Sequence, residues 1–418
     1  MEQFTGFEYL MLDVAGKFGH DKWLFGQRIQ WVKDNMSVLE ELTPQSDKKE
    51  RALYQKAVMT LRNVMAGHDT GHLIGFDACC SGVQVMSALT GCVEGATNTG
   101  MVNPNERADA YGMLLKVMQH ILSDYTVGKI TRQQAKDAMM TAFYGSKAEP
   151  KKIFGEDTPE LSAFYEASAI IAPGAWSLLQ ELLASWNPWT KKHSWKLPDG
   201  FDAVVKVMQK VDDCRIEVDE LGGSSFTYEY YVNEGTEYGI SLPANVTHSV
   251  DAYLVRSMHR RCNYDRHQVE TALAAIYTGL NDRLGNKPTM ILEQDTKLAY
   301  YIEQYNRSTV ADVVILPYIT EKNVFQMSVK HLEKLRDIIL TMLVHKPFAI
   351  VTIHDEFKCH ANYMNFLRQH YVNIMADMAD SEMLADILNQ LHGTVGGKVK
   401  KLSNNLGDLI RKSNYALC

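Results

Sequence analysis

Two short apolar runs, LIGFD at 73–77 and FAIVTIHD at 348–355, constrain this chain more than any other feature, because each closes on an aspartate. Around them the pattern is helical. Apolar residues recur three and four apart over 7–17, 21–35, 47–66, 105–124 and 132–143, the spacing of one face of a helix. Thr158-Pro159-Glu160 puts an N-cap before a proline at N1 and predicts a helix running to Ile171. Pro173 and Gly174 interrupt it, and a second piece runs from Ala175 to about Ser185. CRIEV (214–218) and FTYEYYV (226–232) alternate around Gly222-Gly223 and predict a long hairpin. Few short strands among many helices make the expected class α+β, mostly helical.

The run from Phe348 to Ile353, apolar but for Thr352, predicts a buried strand with His354, Asp355 and Glu356 at its tip. Asp77 and Asp355 lie 355 − 77 = 278 positions apart, and adjacent strands of one sheet would bring them together. Two such acids repel and raise each other's pKa, so a shared divalent cation is the economical explanation; two unrelated strand-end turns would give the same signals. Two Mg²⁺ ions between carboxylates can activate a hydroxyl and stabilise a leaving pyrophosphate.

A second site lies in RQQAKDAMMTAFYGSK (132–147), where Arg132, Lys136, Met140 and Tyr144 recur every four residues before Gly145. Two cations and an aromatic along one stripe suit a triphosphate with its base or sugar against the ring, although an amphipathic surface helix has the same pattern. A third lies in GFDACCSGVQ (75–84), whose small residues after Asp77 let a bulky ligand approach the backbone.

Composition narrows the class. With 418 residues, 46% hydrophobic and 22% charged, the chain can bury a large core in one large or two medium domains. It has no run of 18 apolar residues, and its start lacks the basic and apolar regions of a signal peptide, so a soluble, intracellular protein is expected. Seven scattered cysteines without a C-x-x-C pair point to reduced thiols. His68 and His72 stand one helical turn apart, yet turn glycines and the lack of a third ligand argue against zinc. A net charge of −7 argues against a chain that coats nucleic acid alone, although basic residues bunch at Lys151-Lys152, Lys191-Lys192, Arg260-Arg261 and Lys400-Lys401.

Taken in order, these sites resemble motifs A, B and C of the single-subunit RNA polymerases of phages and mitochondria, relatives of the family A DNA polymerases. Motif A is matched by Asp77, Cys80, Ser81 and Gly82, motif B by Arg132, Lys136, Tyr144 and Gly145, and motif C by His354 and Asp355. KWLFGQRIQWVKDN (22–35), ADAYG (108–112), SWKLPDGF (194–201), NVTHSVDAYLVR (245–256) and NLGDLIRKSNYALC (405–418) resemble further segments. The resemblance implies a right-hand polymerase with palm at 1–95 and 250–418 and fingers at 96–249. It implies Asp77 and Asp355, with the Ala78 carbonyl, as ligands of two Mg²⁺ ions, and Arg132 and Lys136 on the triphosphate. Tyr144 and Tyr111 would line the insertion site, and His354 would support the primer end. Family members that make DNA carry a glutamate where this chain has Gly82, so the space for a 2′-OH is expected to be open.

The chain begins 76 residues before Asp77, where family members carry a thumb and N-terminal region. It is thus similar to the larger, catalytic subunit of the two-subunit RNA polymerase of the N-four-like phages. The implied partners are a smaller subunit supplying the thumb, a DNA template, the RNA product, ribonucleoside triphosphates and a promoter-loading factor, in the cytoplasm of an infected bacterium. Asp137, Glu149 and Leu254 depart from the family pattern, with His248 or His259 as substitutes for the histidine expected at 254. The hairpin at 214–232 is expected either to touch promoter DNA or to pack on the fingers. A family A DNA polymerase fragment, favoured by the HDEF sequence, and a non-catalytic nucleic-acid-binding subunit are the alternative readings.

Overall fold

The computed structural model describes residues 1–44, 48–123, 128–236, 239–284 and 295–418. Helices account for about 57% of the chain, and strand pairing among the described residues is antiparallel, so the class is α+β, mostly helical. The first ten helices are α1 (Gly6–Ala15), α2 (Phe25–Asp34), α3 (Lys48–Met65), α4 (Ser81–Thr90), α5 (Val93–Asn98), α6 (Ala110–Ile121), α7 (Arg132–Ala142), α8 (Ala148–Phe154), α9 (Pro159–Ile171) and α10 (Pro173–Ala184). After the two hairpins come α11 (Ser241–Cys262), α12 (Arg266–Leu284), α13 (Thr296–Ser308), α14 (Val329–Leu343), α15 (Met364–Ala379), α16 (Met383–His392) and α17 (Leu406–Ile410).

One small sheet organises the larger core. Its order is β1 (Leu73–Asp77), β7 (Glu356–His360), β6 (Val351–Ile353), joining strands from distant parts of the chain. Alternation sorts its faces: Ile74, Phe76, Phe357 and Cys359 are buried, whereas Gly75 and Asp77 share the open face with Glu356, Lys358, Val351 and Ile353. Beneath the sheet, Phe357 meets Tyr371 of α15 edge-on at 5.6 Å. The Tyr371 hydroxyl donates to Gln84 of α4 at 2.7 Å, and the Gln84 amide donates to the carbonyls of Thr99 and Ala416, so these buried polar groups satisfy one another. Arg368, 1% exposed, donates to the Glu2 carbonyl, the Tyr9 hydroxyl and the Asn414 carbonyl. It thereby ties both chain ends to α15.

A separate apolar cluster forms where α12, α13 and α14 converge on Ile276, Leu298, Leu316, Leu332 and Ile339. The other sheets are two hairpins: β2 (Lys192–Lys196) with β3 (Asp202–Lys206), and β4 (Gln209–Val218) with β5 (Ser224–Val232). The first closes through the Pro-Asp-Gly turn, with Gly200 at φ 81, the conformation glycine adopts most cheaply. The second is the long hairpin read from alternation. It does not pack on the fingers segment as one expectation had it: β5 is exposed along its whole length but for its last residue.

Element boundaries differ from expectation for local reasons. The helix expected over 105–124 starts at Ala110, because Asp109 takes the N-cap and accepts from the Gly112 N–H; position 124, like position 47 of the helix expected over 47–66, lies outside the described residues. The helix expected over 7–17 gives way to a π-helical turn at Gly16–His20, with Gly19 at φ 119. The interruption at Pro173 is present, α9 ending at Ile171 and meeting α10 at 111°, but the second helix starts at Pro173 and not at Ala175, because proline fits the first turn. Of the apolar run 348–355 only Val351–Ile353 is strand, and it is not buried: on the sheet edge Val351 and Ile353 are 44% and 51% exposed.

Candidate active site

The β6–β7 hairpin turns in two residues, since Ile353 pairs with Glu356. Asp355 therefore belongs to the turn and not to a strand, and the residue directly across the sheet from Asp77 is Glu356. His354 takes φ 55, a left-handed conformation that costs a non-glycine residue about 1 kcal/mol. Such conformations gather where geometry serves something other than stability. Cys80, which turns the chain from β1 into α4, has the same feature at φ 58.

Backbone hydrogen bonds clamp the two aspartates. The Ala78 N–H donates to the Asp355 carbonyl at 3.2 Å, and the Cys418 N–H donates to the Asp77 carbonyl at 3.1 Å. The side chains then separate by role. Glu356 pairs with Lys358 at 3.0 Å and lies over Gly75, where a Cβ would run into its carboxylate. Asp355 has no ion-pair partner among the described residues. Burial, then Glu356, then Asp355 push the Asp77 carboxyl up to about 6, against the pull of Lys17 and Lys358. Asp251 of α11 is pushed up to about 6 as well, by burial and then by Asp355, with His354 opposing.

Around these acids opens a cavity of about 770 Å³, within the usual size of a small-molecule site. All nine residues singled out from the sequence line it: Asp77, Ala78, Gly82, Tyr111, Arg132, Lys136, Tyr144, His354 and Asp355. The α7 stripe is positioned by its cap, a Thr131–Gln134 capping box, and by the buried Ala135, Ala138, Met139 and Ala142 beside it. Arg132 makes a bidentate pair with Asp109, at 2.6 and 2.8 Å. Burial raises the Asp109 carboxyl, but Arg132, the Gly112 N–H and Lys22 together outweigh it and hold the group below its usual range. The guanidinium and the Lys136 ammonium lie 5.5 and 5.9 Å from the Tyr111 ring centroid.

Tyr144 corrects one expectation. The space beside Gly82 is not open, because the Tyr144 phenol fills it: a Cβ at 82 would collide with that hydroxyl. Gly82 stands at the second residue of α4 and Tyr144 just past the end of α7, so the missing side chain is what lets the two helices bring the ring in. On its other face Tyr144 stacks on His248, with ring centroids 4.7 Å apart and planes 4° from parallel.

Some cavity residues escaped the sequence reading: Lys22, Arg107, Asp109 and Asp251. The pair His248 and Asp251, three apart on α11, carried a usable signal, since residues at that spacing face the same way. Leu254, where a histidine was expected, is buried in the core, and of its two possible substitutes only His248 reaches the cavity. Asp137 points away, accepting from Gln133 at 2.7 Å, and Glu149 pairs with Lys152. His72 is engaged by Asp13 at 2.8 Å.

Residues 3–154 match the family model of DNA-dependent RNA polymerase, a stretch that contains Asp77, Gly82, Tyr111, Arg132, Lys136 and Tyr144 and ends before Asp251 and Asp355. The match covers about a third of the chain, and what it implies for the whole chain is a proposal. No curated protein matches the chain.

Proposed function

We propose, with the RNA polymerase family match as premise, that this chain is the catalytic subunit of a DNA-directed RNA polymerase. It would transfer nucleotides from ribonucleoside triphosphates to the 3′ end of a growing RNA. The observation that carries the reading is convergence: acids 278 positions apart in sequence and the cationic stripe of α7 line one cavity.

Arg132 and Lys136 would bind the triphosphate. Asp109 holds Arg132 in the bidentate geometry that a phosphate also accepts, so substrate can take over a guanidinium already oriented. Tyr144, backed by His248, would stack at the insertion site beside Tyr111, and His354 would support the primer end. Asp77 and Asp355, with the Ala78 carbonyl, would hold two Mg²⁺ ions, and the donor set fits: the oxygens are hard, and Asp77 is raised by burial and then by neighbouring negative charge, which a cation would relieve. When bound, the ions would supply Lewis-acid activation of the attacking hydroxyl and the leaving pyrophosphate.

Palm segments at 1–95 and 250–418 with fingers at 96–249 follow from the same resemblance, as does the likeness to the large subunit of the N-four-like phage enzymes, working in an infected bacterium. A smaller second polypeptide suits the open sheet face, where Leu73, Val351 and Ile353 are exposed next to the acids.

The test is ribonucleotide incorporation on single-stranded DNA with Mg²⁺, comparing the chain alone, the chain with the smaller polypeptide, and the pair carrying Asp355→Ala. Activity in the intact pair and its loss in the variant is the expected result. Activity in the variant would place the catalytic acids elsewhere, and a preference for deoxyribonucleotides would make the enzyme a DNA polymerase.

A further inference from the structure

The β4–β5 hairpin is amphipathic, and nothing in the described chain covers its apolar face. Its register puts Ile216 opposite Phe226 and Cys214 opposite Tyr228, with Tyr230 two residues further along the same face. Towards the turn the alternate positions are polar, Arg215 facing Thr227 and Glu217 facing Ser225, while Tyr231, 58% exposed, is the aromatic on that side. Phe226, Tyr228 and Tyr230 are 54%, 43% and 42% exposed, and the Tyr228 and Tyr230 rings meet at 6.1 Å. A lone two-stranded ribbon is marginal in water, and one with three aromatics in a row along one face is built to lie against something apolar.

Charge identifies the occupant. Residues 209–232 contain six acids and two bases, a net charge of −4 out of −7 for the whole chain, leaving −3 for the other residues. Phosphate contacts need cations, so this ribbon repels a nucleic-acid backbone. It would equally repel a second copy of itself. A protein surface with an apolar strip flanked by lysine and arginine satisfies both halves of the ribbon, and tyrosine-rich faces with few competing charges at their centre are what protein interfaces select.

We infer that the 209–232 hairpin is the docking arm for the smaller polymerase polypeptide, which presents a basic, apolar-striped surface to it, and that it is not a DNA-reading element. This rests on the two-polypeptide reading above. The probe is that smaller polypeptide, titrated against the full chain by calorimetry, beside a single-stranded and a duplex DNA.

Phe226→Ser/Tyr228→Ser/Tyr230→Ser should weaken polypeptide binding about 100-fold, as expected when clustered aromatic anchors are removed. Glu217→Lys/Asp219→Lys/Glu220→Lys should weaken it about 10-fold at low salt and less at high salt. The first variant should bind both DNAs as the wild type does. Because these side chains are exposed, both variants keep the core, and an unchanged melting temperature checks it. If both variants bind the polypeptide normally, or if the aromatic variant loses DNA binding instead, the inference is overturned while the two-polypeptide reading stands. If the wild type itself does not bind the polypeptide, both fall.

Discussion

The two hairpins β6–β7 and β4–β5 are made by the same local rule and end in opposite circumstances. The first is short, with strands of three and five residues, yet β7 is zipped to β1 and buries Phe357 and Cys359. The second has strands of ten and nine residues, and its β5 is solvated on both faces. Strand length therefore says little about which hairpin is rigid; burial of one face decides it, because apolar area removed from water is the main stabilising term. The first holds Asp355 in a turn fixed by its pairing to β1, and the second leaves Phe226, Tyr228 and Tyr230 open to water.

The comparison breaks or sharpens on a graded set of substitutions. Phe357→Ala should cost about 3–5 kcal/mol in a denaturant melt, the usual loss for a fully buried phenylalanine. A much smaller loss would mean that the sheet is not the rigid element. In the cavity, Lys136→Ala should lower kcat/KM for ribonucleoside triphosphates about 100-fold, the scale of one lost charge-stabilising contact, while Asp137→Ala beside it changes little. Equal effects at the two positions would remove the cationic stripe from the mechanism. Gly82→Ala should cost about tenfold in the same assay, since the added methyl displaces the Tyr144 phenol from its place at the end of α7.

Burial of Asp77 has a pH signature. Its folded pKa, about 6, lies above the ordinary 3.8, so between those values the folded chain holds a proton that the unfolded chain has released. The stability from this group is full below 3.8 and lost as pH rises through about 6. Asp77→Asn should therefore raise the melting temperature of the metal-free chain more above pH 6 than near pH 4, and added Mg²⁺ should shrink that gain. An equal gain at both pH values would show that Asp77 is not held in a field of like charge. The smallest expected effect belongs to the other hairpin: Phe226→Ala in the isolated chain should change stability by less than about 0.5 kcal/mol, as at any exposed site.

Much of the site was legible because its residues announce themselves through local spacing. Arg132, Lys136 and Tyr144 stand at helical intervals, and Asp77 and Asp355 close apolar runs, signals that one element carries without its neighbours. Asp251 and Asp109 carried less, since a lone acid on a long helix or at a cap resembles any solvated acid until another element covers it. The buried strand read from Phe348 to Ile353 failed for the converse reason: apolarity reports a tendency to be covered, but edge position depends on where β1 and β7 lie.

By itself, then, the sequence determined the α+β class, the turn and cap chemistry at Thr158 and Gly145, the long hairpin, and the short lists of residues able to bind phosphate or a hard cation. These follow from backbone preferences and periodicity, which act within a few residues. Only the tertiary structure decided that Glu356, not Asp355, faces Asp77, that Lys358 pairs with Glu356, that Tyr144 occupies the space beside Gly82, and that among the described residues nothing covers Tyr228 and Tyr230 of β5. Each of these depends on which distant segments share a surface, and that is set by packing the whole chain into one core.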